Sequence, residues 1–196
     1  MRFLRVIIMA SGLSKRFGTN KLFAQVNGRP MYCSVLNNVS AFFKNHPEAG
    51  IGIVVSAYEE ILHQADQLGL IPIFNANPEE GQANSIKIGL AFSLKDDFMK
   101  HEAAVFLTAD QPWLKTETLS DFLLSASSTS NGFLCASAKD VLGSPVSFDQ
   151  RYYPELFALK GDSGGKAVVK NHLDEVEYFD MDISELRDID VPEDIV

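Results

Sequence analysis

The stretch Phe3-Leu4-Arg5-Val6-Ile7-Ile8-Met9-Ala10-Ser11-Gly12-Leu13-Ser14-Lys15-Arg16-Phe17-Gly18-Thr19-Asn20-Lys21 decides how this chain is read. An apolar run, Phe3 to Ala10, breaks into a loop of small residues and cations, and a buried strand opening into such a loop is how α/β enzymes hold phosphates. Seven Lys and Arg lie between Met1 and Pro47 without one Asp or Glu, although the whole chain carries a formal charge of -9. This local reversal of sign predicts a site for an anion.

Outward from that strand, short apolar runs alternate with longer amphipathic ones, the pattern of parallel strands joined by crossover helices. Strands are expected near Phe3–Met9, Gly50–Ser56, Ile71–Phe74, Ala104–Thr108 and Gly132–Ala138, with helices near Met31–Phe43, Tyr58–Leu68, Asn84–Leu94 and Thr116–Ser125. In the first helix Val35, Leu36, Val39 and Phe42 share a face that should lie on the sheet. Past Ala138 the pattern weakens to a short strand at Pro145–Phe148 and a Gly-broken turn running into a helix over Gly161–Lys170. The expected fold is α/β: a Rossmann-like, mostly parallel sheet flanked by helices as a three-layer sandwich. With 196 residues, no Pro/Ser linker and no internal repeat, the chain 1–196 reads as one domain, large enough to bury roughly 70% of its unfolded surface.

Several function classes are excluded by the same residues. A pI near 4.9 is the wrong charge for gripping nucleic acid over a broad face. The amino-terminal apolar run is too short to span a membrane and leads into a loop rather than a cleavage site, which predicts a cytoplasmic protein. Cys33 and Cys135 lie in apolar segments without metal or redox spacing and read as buried free thiols; His46, His63, His101 and His172 are scattered and read as surface residues. Gly161-Asp162-Ser163-Gly164-Gly165-Lys166-Ala167 is no P-loop, because its glycines stand one residue too close and Ala167 replaces the Ser or Thr that would hold magnesium. Gly12 to Gly18 does not form GxGxxG, so no dinucleotide fingerprint is present. Asp174 to Val196 holds ten acids against Arg187 alone and reads as a solvated acidic edge.

Five motifs remain, the fourth of them a pair of stretches. Met9-Ala10-Ser11-Gly12-Leu13-Ser14-Lys15-Arg16-Phe17-Gly18-Thr19-Asn20-Lys21 follows L-A-A-G-x-S-x-R-x-G-x-x-K, with Ser11 departing. Glu80-Gly81-Gln82-Ala83-Asn84-Ser85-Ile86-Lys87-Ile88-Gly89-Leu90 follows E-G-x-x-x-S-I-x-x-G at a helix start. Ala109-Asp110-Gln111-Pro112 carries D-Q-P at the end of a strand. Gly143-Ser144-Pro145-Val146-Ser147-Phe148 and Leu159-Lys160-Gly161-Asp162-Ser163-Gly164 follow G-x-P-x-x-F and L-x-G-D-x-G. Arg187-Asp188-Ile189-Asp190-Val191-Pro192-Glu193-Asp194-Ile195 follows D-I-D-T-P-E-D-L, with Val191 in place of Thr. In this order the set resembles the MobA-like nucleotidyltransferases, and within them the molybdenum cofactor cytidylyltransferase branch.

That resemblance implies the nucleotide-diphospho-sugar transferase type of fold and a reaction in which CMP passes from CTP to the phosphate of molybdenum-bearing molybdopterin, releasing pyrophosphate. It assigns Arg16, Lys21 and Asp110 to catalysis, and Ala10, Ser11, Gly12, Arg16, Lys21, Gly81 and Ser85 to the nucleotide. Gly143, Pro145, Gly161 and Asp162 fall on the acceptor side. Asp110, with Asp188 or Asp190, is the expected Mg²⁺ site; the two latter residues share a side of an extended segment. A molybdenum hydroxylase apoenzyme is the implied partner, with no nucleic acid and no membrane. Two other readings use the same scaffold: GTP with molybdopterin, or an NTP with a sugar phosphate or other small phosphorylated acceptor. A third is a carrier that binds molybdopterin without chemistry. Lys15 reads equally as a phosphate contact or a solvated lysine, and Trp113 as packing.

Overall fold

The computed structural model describes residues 1–14, 17–92, 101–139 and 141–195. Its elements run β1 (Phe3–Ala10), β2 (Gln25–Val26), β3 (Arg29–Pro30), α1 (Tyr32–Asn45), β4 (Gly50–Ser56), α2 (Glu59–Gln67), β5 (Ile71–Phe74), α3 (Gln82–Ala91), β6 (Glu102–Thr108), α4 (Thr116–Ser128), β7 (Phe133–Ala138), β8 (Val141–Asp149), α5 (Tyr153–Ala158), α6 (Lys166–Val169) and β9 (Val176–Asp180). Seven of these strands form one sheet in the order β5-β4-β1-β6-β8-β7-β9; β2 and β3 make a separate small hairpin. All neighbours are parallel except at β8, which runs antiparallel to both β6 and β7.

The alternation of side chains along a strand builds both faces of the core from one run of sequence. In β1, Leu4, Val6, Ile8 and Ala10 point to one face, where α1, α2 and α4 contribute Val35, Leu36, Val39, Phe42, Ile61, Leu119 and Phe122. Ile7 points to the other, against Ala83, Ile86 and Leu90 of α3, Leu156 of α5 and Val168 of α6. Each such fully buried aliphatic or aromatic side chain stabilises the fold by about 1.5–3 kcal/mol, which is why the central strands read as nearly unbroken apolar runs. The three layers expected from the sequence are therefore present.

The chain first winds outward from β1 through β4 to β5, then returns to place β6 on the opposite side of β1. Between the carboxyl ends of β1 and β6 the strand order reverses. Open α/β sheets bind ligands at that crevice.

Differences from the expected elements are local. β6 begins at Glu102, β8 spans Val141–Asp149, and α3 begins at Gln82 rather than Asn84; the expected end of this helix at Leu94 lies outside the described residues. The segment 161–170 contributes a turn and only the short α6. The acidic carboxyl-terminal stretch is not wholly a solvated edge: Val176–Asp180 joins β7 in parallel, with Phe179 packed on the core while Glu177, Tyr178 and Asp180 face outward. Charge hid a strand whose apolar positions are few. Cys33 is half-buried rather than buried, and Cys135 is buried; both are free thiols. His63 and His101 are exposed, but His46 and His172 are half-buried, His172 stacking on Phe133 and pairing with Glu155. Among the described residues no helix is long and apolar enough to cross a membrane.

Candidate active site at the strand-order reversal

A cleft of about 470 Å³ opens at this reversal, lined by Met9, Ser11, Gly12, Lys21, Gly81, Ser85, Thr108, Asp110, Asp162 and Asp190 among others. Residues from five distant stretches of sequence thus meet at one place.

The loop after β1 is held from several sides. Ser11 is buried and its hydroxyl donates to the Val55 carbonyl at 3.2 Å, while Ser56 donates to the Ala10 carbonyl at 2.9 Å. The serine that departs from the family pattern is therefore engaged with β4, and a hydroxyl there costs nothing in unmet bonding. Tyr58 donates to the Gly12 carbonyl at 3.0 Å. A Cβ on Gly12 would meet no atom of the described residues within 4 Å, so they leave the space beside that backbone open. Ala10 is buried behind the cleft rather than lining it. Lys15 and Arg16 lie outside the described residues.

Lys21 ends this loop and is the hub of the site. Its ammonium donates to Asp110 Oδ2 at 2.7 Å, to Asp190 Oδ1 at 2.9 Å and to the Ile189 carbonyl at 2.8 Å, which uses all three of its donors. Partial burial pushes the ammonium toward neutrality, but Asp110 and then Asp190 outweigh it and hold its pKa above the ordinary lysine value. Asp110 stands just past the end of β6, and its carbonyl accepts from the Ile189 amide at 3.2 Å. Its other carboxylate oxygen, Oδ1, is buried with no hydrogen-bond partner among the described residues, as is Thr108 Oγ1 two residues earlier. Both residues line the cleft. Asp188 completes the acidic set: desolvation and then repulsion from Asp110 push its carboxyl up to about 6, against the pull of Lys21 and Lys166.

The carboxyl-terminal segment reaches the cleft because an apolar contact carries it there. Ile189 is fully buried with Phe17, Val26 and Met31, and Trp113 and Ile195 pack on that group. Trp113 is thus a packing residue. Asp194 shapes the turn by accepting from the Asp190 and Val191 amides at 2.9 and 3.1 Å, bonds that hold its carboxyl below the usual range.

Of the expected metal ligands, Asp110 and Asp190 line the cleft, and Asp188 is not among its lining residues. Among the described residues no group of three His, Cys, Asp or Glu is placed to hold a metal ion; Asp110 and Asp190 share the Lys21 ammonium instead. The residues nevertheless suit a hard cation that arrives with phosphate. Mg²⁺ commonly takes one or two carboxylates and completes its shell with water and substrate oxygens, and here the carboxylates of Asp110 and Asp190 lie in one cleft while Asp110 Oδ1 has no partner among the described residues.

On the opposite wall, Gly81 precedes α3 with φ +83° and ψ -170°, a conformation essentially confined to glycine. A Cβ there would lie 2.5 Å from the Gly161 carbonyl group and from Asp162 Oδ1, and the Ala83 amide donates to the Gly161 carbonyl at 3.0 Å. The expected nucleotide-side and acceptor-side loops are therefore in direct contact. Ser85, one turn into α3, is buried at the cleft wall.

Gly143 and Pro145 differ from expectation, since neither lines the cleft. A Cβ on Gly143 would lie 2.5 Å from the Leu186 side chain, so this glycine admits the carboxyl-terminal segment. Gln111 joins the two from the D-Q-P turn, donating to the carbonyls of Ser144 at 3.1 Å and Leu186 at 3.4 Å. Sequence reasoning also passed over Thr108 and Asn75, which no motif letter marks; a polar residue at or just past the carboxyl end of a parallel strand is the signal that would have found them.

A family model described as the MobA-like NTP transferase domain matches residues 6–176. The purine catabolism protein PucB of Bacillus subtilis (strain 168) is 26% identical over 207 residues, covering 98% of this chain and 94% of that protein. Among solved structures, Rv0371c of Mycobacterium tuberculosis H37Rv in complex with manganese matches with a TM-score of 0.75 at 17% identity, covering 99% of this chain and 96% of that one. Molybdopterin-guanine dinucleotide biosynthesis protein A from Archaeoglobus fulgidus matches with a TM-score of 0.61 at 17% identity, covering 97% and 94%. At such identities the two structures speak for a common fold.

Proposed function

This chain belongs to the MobA-like NTP transferase family, and from that premise we propose that it transfers CMP from CTP to the terminal phosphate of molybdenum-bearing molybdopterin, releasing pyrophosphate. The observation that carries the reading is the convergence of Lys21, Asp110 and Asp190 in one cleft with Gly81, Ser85 and Asp162 on its other wall.

An oxygen of the acceptor phosphate attacks the α-phosphorus of CTP, a new P–O bond forms, and the bond to the bridging oxygen of the β-phosphate breaks. The attacking group is already an anion, so no enzyme nucleophile is needed and alignment with charge stabilisation supplies the catalysis. Gly12 leaves room for phosphate against the backbone, and Gly81 and Ser85 take the nucleoside. Lys21, with Arg16 from the same loop, neutralises the charge that accumulates on the leaving pyrophosphate. To do so Lys21 exchanges part of its bonding to Asp110 and Asp190 for phosphate oxygens. Asp110, with Asp188 or Asp190, would hold Mg²⁺, which supplies charge neutralisation of triphosphate oxygens. Gly161 and Asp162 border the acceptor side. The product is destined for a molybdenum hydroxylase apoenzyme.

Incubation with molybdenum cofactor and each of CTP, GTP, ATP and UTP, following pyrophosphate and identifying the product by mass spectrometry, tests the reading. CTP should give the cytosine dinucleotide. A guanine dinucleotide, or turnover only with a different phosphorylated acceptor, replaces the assigned substrates; absence of magnesium-dependent triphosphate binding turns the protein into a carrier.

A further inference from the structure

One wall of the cleft is organised by a residue outside every motif. Asn75 directly follows β5 and is fully buried. Its amide has one consistent orientation: Oδ1 lies 3.0 Å from the Asn77 backbone nitrogen, which can only donate, so that arm is the carbonyl oxygen. The same oxygen accepts from Asn84 Nδ2 at 3.0 Å, and Asn84 Nδ2 also reaches the Asn77 carbonyl at 3.0 Å. The remaining arm is therefore the NH₂ group, and it donates to Ser85 Oγ at 3.3 Å.

This fixes what Ser85 offers. A hydroxyl carries one hydrogen and two lone pairs. Asn75 occupies a lone pair from the core side, and the Ser85 hydrogen finds no acceptor among the described residues, although the side chain is buried and lines the cleft. A buried donor without a partner rejects a ligand that cannot accept from it more strongly than an apolar wall would.

We propose that Asn75 is a positioning residue that sets Ser85 as a hydrogen-bond donor toward the cleft, where it reads an acceptor atom, a ring nitrogen or carbonyl oxygen, on the base of the bound nucleoside triphosphate. The inference rests on the reading of this cleft as a nucleotide site. It makes base selection depend on a residue that never touches the base.

The substitution Asn75→Asp inverts the device at nearly constant shape. Aspartate keeps both acceptor duties toward Asn77 and Asn84 but cannot donate, so Ser85 turns its hydrogen inward and shows the cleft only lone pairs. Calorimetric titration of wild type, Asn75→Asp and Ser85→Ala with CTP, UTP, ATP and GTP, each with magnesium, reads the result. Asn75→Asp should weaken the favoured triphosphate roughly 10- to 100-fold and the other three by different factors, changing their ranking. Ser85→Ala should weaken the favoured one by a similar factor. In turnover the loss should fall on the nucleotide KM, not on kcat at saturation. Unchanged affinities in folded Asn75→Asp overturn the inference, and so does an equal loss across all four triphosphates, which would place the hydroxyl on the ribose. If Asn75→Asp does not fold, Ser85→Ala decides alone, and an affinity within about twofold of wild type overturns the inference. A wild type that binds none of the four overturns the nucleotide reading as well, whereas a binding wild type with insensitive variants overturns this inference by itself.

Discussion

Replacing Lys21 by alanine separates the two duties that the structure gives this residue. In the free protein its ammonium holds Asp110, Asp190 and the Ile189 carbonyl, and thereby pins the carboxyl-terminal segment to the loop after β1. The Asp190 side chain is 55% exposed, so that pair contributes about 1 kcal/mol at most, whereas the bond to the less exposed Asp110 falls in the range of about 1.5–3 kcal/mol for charged partners. A total loss of about 2–4 kcal/mol leaves a folded protein when stability is of the order of 10 kcal/mol. Turnover should suffer more than folding. A charge pair at 4 Å is worth about 4 kcal/mol at an effective dielectric near 20 before desolvation is subtracted, and each 1.4 kcal/mol is tenfold in rate, so kcat should fall about a hundredfold or more. Urea denaturation measures the first quantity and pyrophosphate release per folded molecule the second. Near-native turnover in folded Lys21→Ala would refute the assignment of this ammonium to the triphosphate.

Three further substitutions probe the surroundings. Gly81→Ala places a Cβ against the Gly161 carbonyl at a backbone conformation other residues avoid, and should cost about 2 kcal/mol or more in urea denaturation while raising the nucleotide KM. Glu102→Ala removes the buried carboxylate paired at 2.6 Å with Arg5, itself 2% exposed, and should destabilise by about 3–5 kcal/mol; nucleotide affinity should hold, because this pair lies at the opposite end of β1 and β6 from the cleft. Glu185 is buried, which pushes its carboxyl up, but bonds from the Lys115 side chain and amide outweigh burial and hold it below the ordinary 4.5. A depressed folded pKa gives stability that is present above the unfolded value and lost as pH falls through the folded one. Glu185→Gln should therefore flatten the acid limb of a thermal-melt pH series, and an unaltered limb would remove Glu185 from the account.

The sequence made the central strands and the helices on either side readable because each buries a face whose period is set by backbone geometry. Gly50–Ser56 and Ile71–Phe74 are found at their expected bounds. β9 escaped because only Val176 and Phe179 turn inward among acids, and a parallel edge strand requires a partner that sequence spacing does not name. The two-residue strands β2 and β3 are too short to show any period. In the site, residue types at the ends of β1 and β6 announced an anion and a carboxylate, and Lys21, Asp110 and Asp190 do meet. Their mutual arrangement was not readable, since motif letters do not say that a lysine will lie between two acids before a ligand arrives.

That arrangement bears on how the site is built. Burial and then repulsion from Asp110 push Asp188 up to about 6, and Lys21 pairs with both Asp110 and Asp190 across the cleft. An apolar anchor, Ile189 beneath Phe17, Met31 and Val26, supplies the free energy that brings the last two acids to the first, at about 1.5–3 kcal/mol for the isoleucine alone. Gly143, which the motif suggested as lining, admits this same segment, and Gln111 bonds it. The carboxyl-terminal motif therefore does two things with adjacent residues: the isoleucine attaches the segment and the aspartates flanking it provide charge. Truncating Ile189 to alanine while leaving Asp188 and Asp190 intact should separate these contributions, because the loss of anchoring would lower activity without removing a single charged group from the cleft.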